Sequence, residues 1–522
     1  MNTPSKEYRG THAAAARPVA PRKIQLNTSP NLGEVDFGPL AKHERNIAAI
    51  DPVSVADILR NAFAYPPHTI YADVKIAATG FDPEQDMYSN PHFHYAFHTV
   101  RAESRPLADD VEDDALIDSY HRLLCQAIKR ATLNMRAPWL LQSGGKDSTS
   151  MAIALADARP DTTCLTYLGG KEEDEVASAR FVAQHLGLRH EVLECDPGRA
   201  YDRYLAMLPR MPLLSADFAA LSYADLATEV ARHHGDGMID AQCADQYFGV
   251  PLRRQDHVMK LLARDLRLPQ GLFTSTPVSH SFPLCVALST LQMDRFERYF
   301  PGSRFSDAEV DALFGSNIAA SSRQRMQLFH ADLAEATTSE AQRRLALVIG
   351  ESSHLGKGMY AARAMSLRLA YPYADPQFRD WVFRQVPDDR LIGPGGVSKV
   401  LMRQYIAECF EQLPYLKAKG SFRFDLCGLA RQRFDQVYAY ADEVKALLPG
   451  ASRWLGKHRK LMENKYFASK FYLLAVVLPW LLSHTDAHAA PWAGHTPNTS
   501  SGRSACHDQS FPAQPYSDLR PR

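Results

Sequence analysis

The residues that offer the most chemistry are Ser143-Gly144-Gly145-Lys146-Asp147-Ser148, set between the apolar run Trp139-Leu140-Leu141 and the segment Thr149 to Leu155. The order reads as a buried strand, a tight turn and a helix. Two adjacent glycines let the backbone turn sharply and meet an anion with no side chain in the way. The helix that follows presents amide N–H groups at its start. Ser143 and Ser148 add hydroxyl donors, Lys146 a point charge, and Asp147 a carboxylate suited to a hard cation such as Mg2+. A Walker A loop is excluded, because G-x-x-x-x-G-K-[ST] is absent at this place.

A second constellation is Met238-Ile239-Asp240 running into Ala241-Gln242-Cys243-Ala244-Asp245-Gln246-Tyr247-Phe248-Gly249. Ligands of open α/β sheets bind beyond the carboxyl ends of the strands, so Asp245 can join Asp147 in holding Mg2+ against phosphate. On this segment alone, an aspartate that only caps a helix explains Asp245 equally well. A third constellation gathers cations: Lys399 and Arg403 after Pro394-Gly395-Gly396, then Lys417-Ala418-Lys419-Gly420-Ser421-Phe422, all following Tyr371-Pro372-Tyr373-Ala374-Asp375.

These motifs need a scaffold, and the pattern supplies one. Residues 114–132 read as an amphipathic helix leading into the strand before the glycine turn. Strands over Thr163–Leu168, His190–Leu193 and Gly237–Asp240 then alternate with helices over Glu172–Leu186 and Tyr223–His233. The alternation predicts an α/β fold with a doubly wound parallel sheet. Beyond about residue 255 the apolar spacing is almost wholly helical. The expected organisation is a mobile tail over 1–45, a short α+β segment over 46–105, the nucleotide-binding core over 106–255, a helical part over 256–484 and a second tail over 485–522. The α+β segment has a helix at Val55–Phe63 and β-like runs at Thr69–Tyr71 and His94–Phe97.

Residues 143–148 resemble the PP-loop, SGGxDS, of the N-type ATP pyrophosphatases. Taken in order over about 105–480, the segments resemble the synthetase domain of the asparagine synthetase-like family. Asp174-Glu175 matches its helix-opening acidic pair, and Asp240 to Gly249 its S-G-E-G-A-D-E-x-F-G-G. Arg368 to Asp375 matches its R-x-P-F-x-D, Lys399 to Arg403 its Lys-x-x-x-Arg helix, and Lys417 to Phe422 its R-x-K-x-x-F. The resemblance implies ATP-dependent amide formation through an acyl-adenylate, with pyrophosphate leaving on the PP-loop and Mg2+. By motif, Ser143, Gly144, Gly145, Lys146, Asp147 and Ser148 hold the phosphates, Asp147 and Asp245 the metal, and backbone near Leu168 and Ala241 the adenosine. Lys419 takes the family's catalytic lysine position, with Lys399 and Arg403 supporting that cationic wall.

The chain also departs from the family. It begins Met1-Asn2-Thr3 where glutamine-using members begin Met-Cys, so the segment Arg60 to Tyr71 is expected to be a vestige of the glutaminase fold. The amine would then be ammonia or an amine of a metabolite or peptide. Gln242 and Gln246 stand where the family has glutamates; an amide can orient an amine but cannot take its proton as a base. Asp240 is the candidate replacement base. A carboxylate other than aspartate is therefore expected, with two alternatives: an intramolecular amide synthetase of the lasso-peptide or β-lactam type, or a nucleotide-binding protein that has lost the chemistry.

Lys+Arg and Asp+Glu balance at 59 each, which gives no pull toward nucleic acid. Eight cysteines lack a C-x-x-C pair, which fits a reducing compartment. The apolar stretch Phe471 to Leu482 is broken by Pro479 and falls short of a bilayer span, so a cytoplasmic protein is expected, with a homodimer as the candidate assembly. Plain packing or surface explains the remaining features better: His92, His94 and His98 as a half-buried strand, His233-His234 as a helix end, Cys243, Tyr247 and Phe248 as core.

Overall fold

The computed structural model describes residues 24–26, 35–43, 49–76, 113–169, 173–251, 254–297, 304–335, 345, 349–411, 413 and 424–485. Strand β1 (Ile24–Leu26) lies parallel to β2 (Val74–Ile76), with helix α1 (Pro52–Asn61) between them. The expectation of a mobile tail over 1–45 is thus corrected at Ile24 and Leu26, which are buried. The His94–Phe97 run, with His92 and His98, lies outside the described residues.

The central sheet obeys the alternation. After α2 (Asp113–Ala131) come β3 (Pro138–Leu141), α3 (Lys146–Ala158), β4 (Thr163–Leu168), α4 (Glu173–His185) and β5 (Arg189–Glu194). Then follow α5 (Pro197–Met207), α6 (Ala220–Arg232), β6 (Gly237–Ile239) and α7 (Ala244–Phe248). A strand not expected from the pattern, β7 (Arg368–Ala370), completes a parallel sheet in the order β5-β4-β3-β6-β7. From β3 the chain first winds outward through β4 and β5, then returns on the other side through β6 and β7. The direction of winding therefore switches between β3 and β6, which pair as Trp139 with Met238 and Leu140 with Ile239. Such a switch opens a crevice at the carboxyl edge.

Helices α8 (Glu351–Ala364), α9 (Pro376–Gln385), α10 (Val400–Cys409), α11 (Leu426–Glu443) and α12 (Lys465–Thr485) follow, with shorter helices over 254–335, 388–391 and 451–458. A hairpin of β8 (Ile392–Gly393) and β9 (Val397–Ser398) leads into α10. One continuous buried apolar cluster includes Ile24, Ile58, Leu140 and Leu481, so the N-terminal segment shares its core with the rest.

Helix α12 is longer than the sequence suggested. It runs through Pro479 for 21 residues, and by length and composition it is long and apolar enough to cross a membrane. Here it is the core: residues from Tyr466 to Leu481 are buried along it. Proline has no N–H, so the carbonyl four residues earlier, Ala475, loses its helical donor. The Tyr201 hydroxyl of α5 donates to that carbonyl at 2.9 Å. Tyr201→Phe should therefore cost about 1–3 kcal/mol, read as a shift of the urea midpoint.

Charged pairs dock α1. Arg325 holds Asp51 at 2.6 Å and Asp57 at 3.1 Å, while Arg60 holds Asp307 at 2.9 Å and pairs with Glu297. Burial pushes the Asp57 carboxyl up to about 6, although Arg325 opposes the shift. The folded chain thus binds this proton more tightly than the unfolded chain does. The stability it contributes is complete below pH 3.8 and is lost as pH rises through about 6. In denaturant titrations from about pH 4 to 7, Asp57→Asn should remove a fall in stability of about 3 kcal/mol seen in the parent protein.

Candidate active site

The glycine turn leaves β3 and enters α3 at Lys146. Its two serines clamp it: the Ser148 hydroxyl donates to the Ser143 carbonyl at 2.8 Å and accepts from the Ser143 amide at 3.0 Å. The Gly145 amide donates to Ser143 Oγ at 3.2 Å, and the Gly144 amide to Glu175 Oε1 at 3.3 Å. The approach is close at Gly144, where a β-carbon would sit 3.2 Å from the Glu175 carbonyl oxygen, tighter than ordinary van der Waals contact. Helix α3 starts with no side-chain cap, and an uncapped helix start favours phosphate. Beneath it, the Tyr373 hydroxyl donates to the Asp147 carbonyl at 3.0 Å, and Tyr120 bonds Ser150 at 2.7 Å.

The neighbouring strand β6 delivers the second constellation to the same edge. Asp240 follows it, buried, accepting from the Tyr223 hydroxyl at 2.6 Å and from the Gln242 amide at 3.1 Å. Burial raises this carboxyl above the usual range, with Tyr223 and Lys357 opposing. The direction suits a proton acceptor, yet both oxygens already have donors and serve to hold the turn. Cys243 takes the left-handed backbone, φ 77°, immediately before α7. A glycine adopts that conformation without strain, whereas a side chain costs roughly 1–3 kcal/mol. This explains the glycine at the matching place of the family motif. Cys243, Tyr247 and Phe248 are all buried, as core residues were expected to be.

Lys399 closes the site from the helical part. Its Nζ lies 2.5 Å from an Asp147 oxygen and 2.5 Å from an Asp245 oxygen. Burial alone would lower its affinity for a proton; the Asp147 and Asp245 carboxylates outweigh that and raise it. Both oxygens face one nitrogen, so two hard donors converge on one cationic point. That donor set fits magnesium. Among the described residues no group of three or more His, Cys, Asp or Glu gathers as a metal cluster.

Other expected residues fall as follows. Gln242 and Ala241 are half-buried in the turn after β6, and Gln246 is buried. Leu168 ends β4, and its carbonyl accepts from the Cys195 amide at 2.8 Å. Arg403 donates from Nε to the Ser398 carbonyl at 2.9 Å, bracing the hairpin rather than extending the cationic wall. Lys417 and Lys419 lie outside the described residues. His233 is the exposed end of α6, as expected. The tyrosine support under the turn and the Tyr223 bond to Asp240 were not anticipated. Their only sequence signal is a tyrosine on an apolar helix face, which spacing cannot tell from packing. A cavity of about 640 Å³ lined by Arg60, Asp265, Arg304, Asp307 and Arg323 lies in the helical part, and Arg60 and Arg323 are ion-paired there.

The profile of the asparagine synthase family matches residues 119–448, more than half of the chain. Among solved structures, NMN synthetase from Francisella tularensis is 14% identical, with 47% of this chain and 96% of that one covered and a TM-score of 0.23. NAD+ synthetase from Burkholderia Pseudomallei is 16% identical, with 46% and 96% covered and a TM-score of 0.21. No curated protein matches the chain.

The strain at Cys243 is measurable. Cys243→Gly should be nearly neutral, the relieved backbone offsetting the lost side chain, whereas Cys243→Val should destabilise by about 2 kcal/mol or more in urea. Equal losses for both variants would show that packing, not backbone conformation, decides the position.

Proposed function

Since the chain belongs to the asparagine synthase family of ATP-using, amide-forming ligases, we propose that it adenylates a substrate carboxylate other than aspartate and passes the acyl group to an amine. The observation that carries this reading is the meeting of Asp147, Asp245 and the glycine turn at the switch point between β3 and β6.

In this reading the start of α3, with Ser143, Gly144, Gly145, Lys146 and Ser148, binds the β- and γ-phosphates through amides, hydroxyls and one ammonium. Asp147 and Asp245 hold magnesium, which when bound neutralises phosphate charge and eases the departure of pyrophosphate. The adenosine lies along the strand ends, near Leu168 and Ala241. The substrate carboxylate attacks the α-phosphorus, the bond to pyrophosphate breaks, and an amine then displaces AMP from the acyl carbon. Lys419, by its place in the motif, stabilises negative charge at both centres; donors of this kind are worth about 2.7–4 kcal/mol each.

Two amides in place of glutamates support a substrate other than aspartate. Gln242 and Gln246 carry no charge to receive an α-ammonium group, and neither is a base. Asp240 is already held by Tyr223 and Gln242. The amine must therefore arrive with a proton-accepting partner of its own or be reactive as the free base. A metabolite or peptide amine meets that need as well as ammonia does.

Carboxylate-dependent exchange of labelled pyrophosphate into ATP tests the proposal across a panel of amino, dicarboxylic and peptide acids. Exchange should appear with one acid class and fall at least about 100-fold in Asp147→Asn and Lys419→Ala. ATP binding without exchange for any acid would turn the reading toward a nucleotide-binding protein that has lost the chemistry.

A further inference from the structure

Two cations cannot occupy one place. Lys399 Nζ stands 2.5 Å from both Asp147 and Asp245, at the point where the functional reading needs magnesium. We propose that Lys399 is a resident counter-cation that keeps the metal position closed while nucleotide is absent, so that a divalent ion enters only in exchange for the ammonium and only when phosphate is there to receive it. The inference rests on the reading of Asp147 and Asp245 as metal-holding residues, and it makes metal entry conditional on nucleotide.

The charges require this order. A divalent ion that enters takes both carboxylates from the ammonium. The displaced ammonium, almost wholly buried, then needs a new anion close by, because an unpaired buried charge is strongly disfavoured. Incoming phosphate is that anion. A divalent ion arriving alone brings none.

The backbone is built to place the lysine and leave its head movable. Gly395 and Gly396, both at positive φ, turn the β8–β9 hairpin, and Lys399 itself adopts φ 59° at the start of α10. Its amide donates to the Leu391 carbonyl at 2.6 Å, and its carbonyl accepts from the Arg403 amide at 3.0 Å. A left-handed non-glycine residue persists only where its surroundings enforce it. The root of the side chain is thus fixed, while the four-carbon stem can swing its ammonium without moving the backbone. Asp147 and Asp245 are both more exposed than Lys399, so the ammonium meets them from the protein side.

The test uses Mn2+ as the probe, counted by equilibrium dialysis against the full chain and its Lys399→Met and Lys399→Gln variants, first alone and then with ATP. Without nucleotide, the parent protein should bind Mn2+ at least about tenfold more weakly than either variant, and ATP should remove most of that difference. A purely structural lysine would give variants that bind no better than the parent. Equal affinity of all three proteins for Mn2+ alone overturns the proposal. Should neither variant fold, the parent decides: Mn2+ held as tightly without ATP as with it overturns the proposal, and Mn2+ held at least about tenfold more tightly with ATP supports it. Absence of bound Mn2+ from every sample, ATP included, overturns the metal reading itself, a result distinct from failure of the exchange mechanism.

Discussion

The ammonium of Lys399 joins three segments that are remote in sequence: the helix start after β3, the turn after β6, and the hairpin that precedes α10. Each of the first two carries a carboxylate at the open end of a parallel sheet, where helix starts would attract anions rather than repel them. Two carboxylates side by side repel, and an ammonium between them offsets that repulsion. The helical part therefore does more than cover the sheet. It supplies an ammonium that bridges the two acidic segments.

That requirement explains where backbone strain is found. Cys243 and Lys399 are both non-glycine residues in the left-handed region, and each immediately precedes a helix that borders the site. Strain of this kind survives only when packing and hydrogen bonds overdetermine it. Here the buried α7 residues Tyr247 and Phe248 hold the first, and the Leu391 and Arg403 backbone bonds hold the second. The support reaches further down. Tyr120 and Tyr373 fix the start of α3 from below, and Tyr223 fixes Asp240, so hydroxyls on apolar faces set the angle at which the two carboxylate-bearing turns meet.

Much of this was legible in the chain. The glycine turn, the three strands that follow it in the sheet, and Asp147 and Asp245 at one edge all come from local pattern, because a parallel sheet imposes period and order on its own sequence. What local pattern missed has physical reasons. Strand β7 is three residues long and lies more than a hundred residues beyond β6, with only helices and loops described between them, so no alternation announces it. Helix α5 was overlooked although Asp196 caps it and Pro197 starts it, a signal that was present. Pro479 pointed to a break in α12, yet a tyrosine from another helix restores the missing acceptor's partner, and no reading of α12 alone contains that tyrosine. The partnership of Lys399 with both aspartates is likewise tertiary: the sequence marks Lys399 as one of a cluster of cations, and only the fold brings it between two carboxylates and buries it.

The changed β6 motif and the lysine bear on the same question of substrate. In the segment after β6, two positions where the family motif has glutamates are amides, Gln242 and Gln246, while Asp240 is engaged by Tyr223 and Asp147 and Asp245 by Lys399. In the proposed reading, the edge of the sheet keeps the charges that serve phosphate and metal and has fewer with which to recognise a small charged amino acid. The same balance makes the order of events a matter of electrostatics, since nucleotide is the anion that can release Lys399 from its two partners.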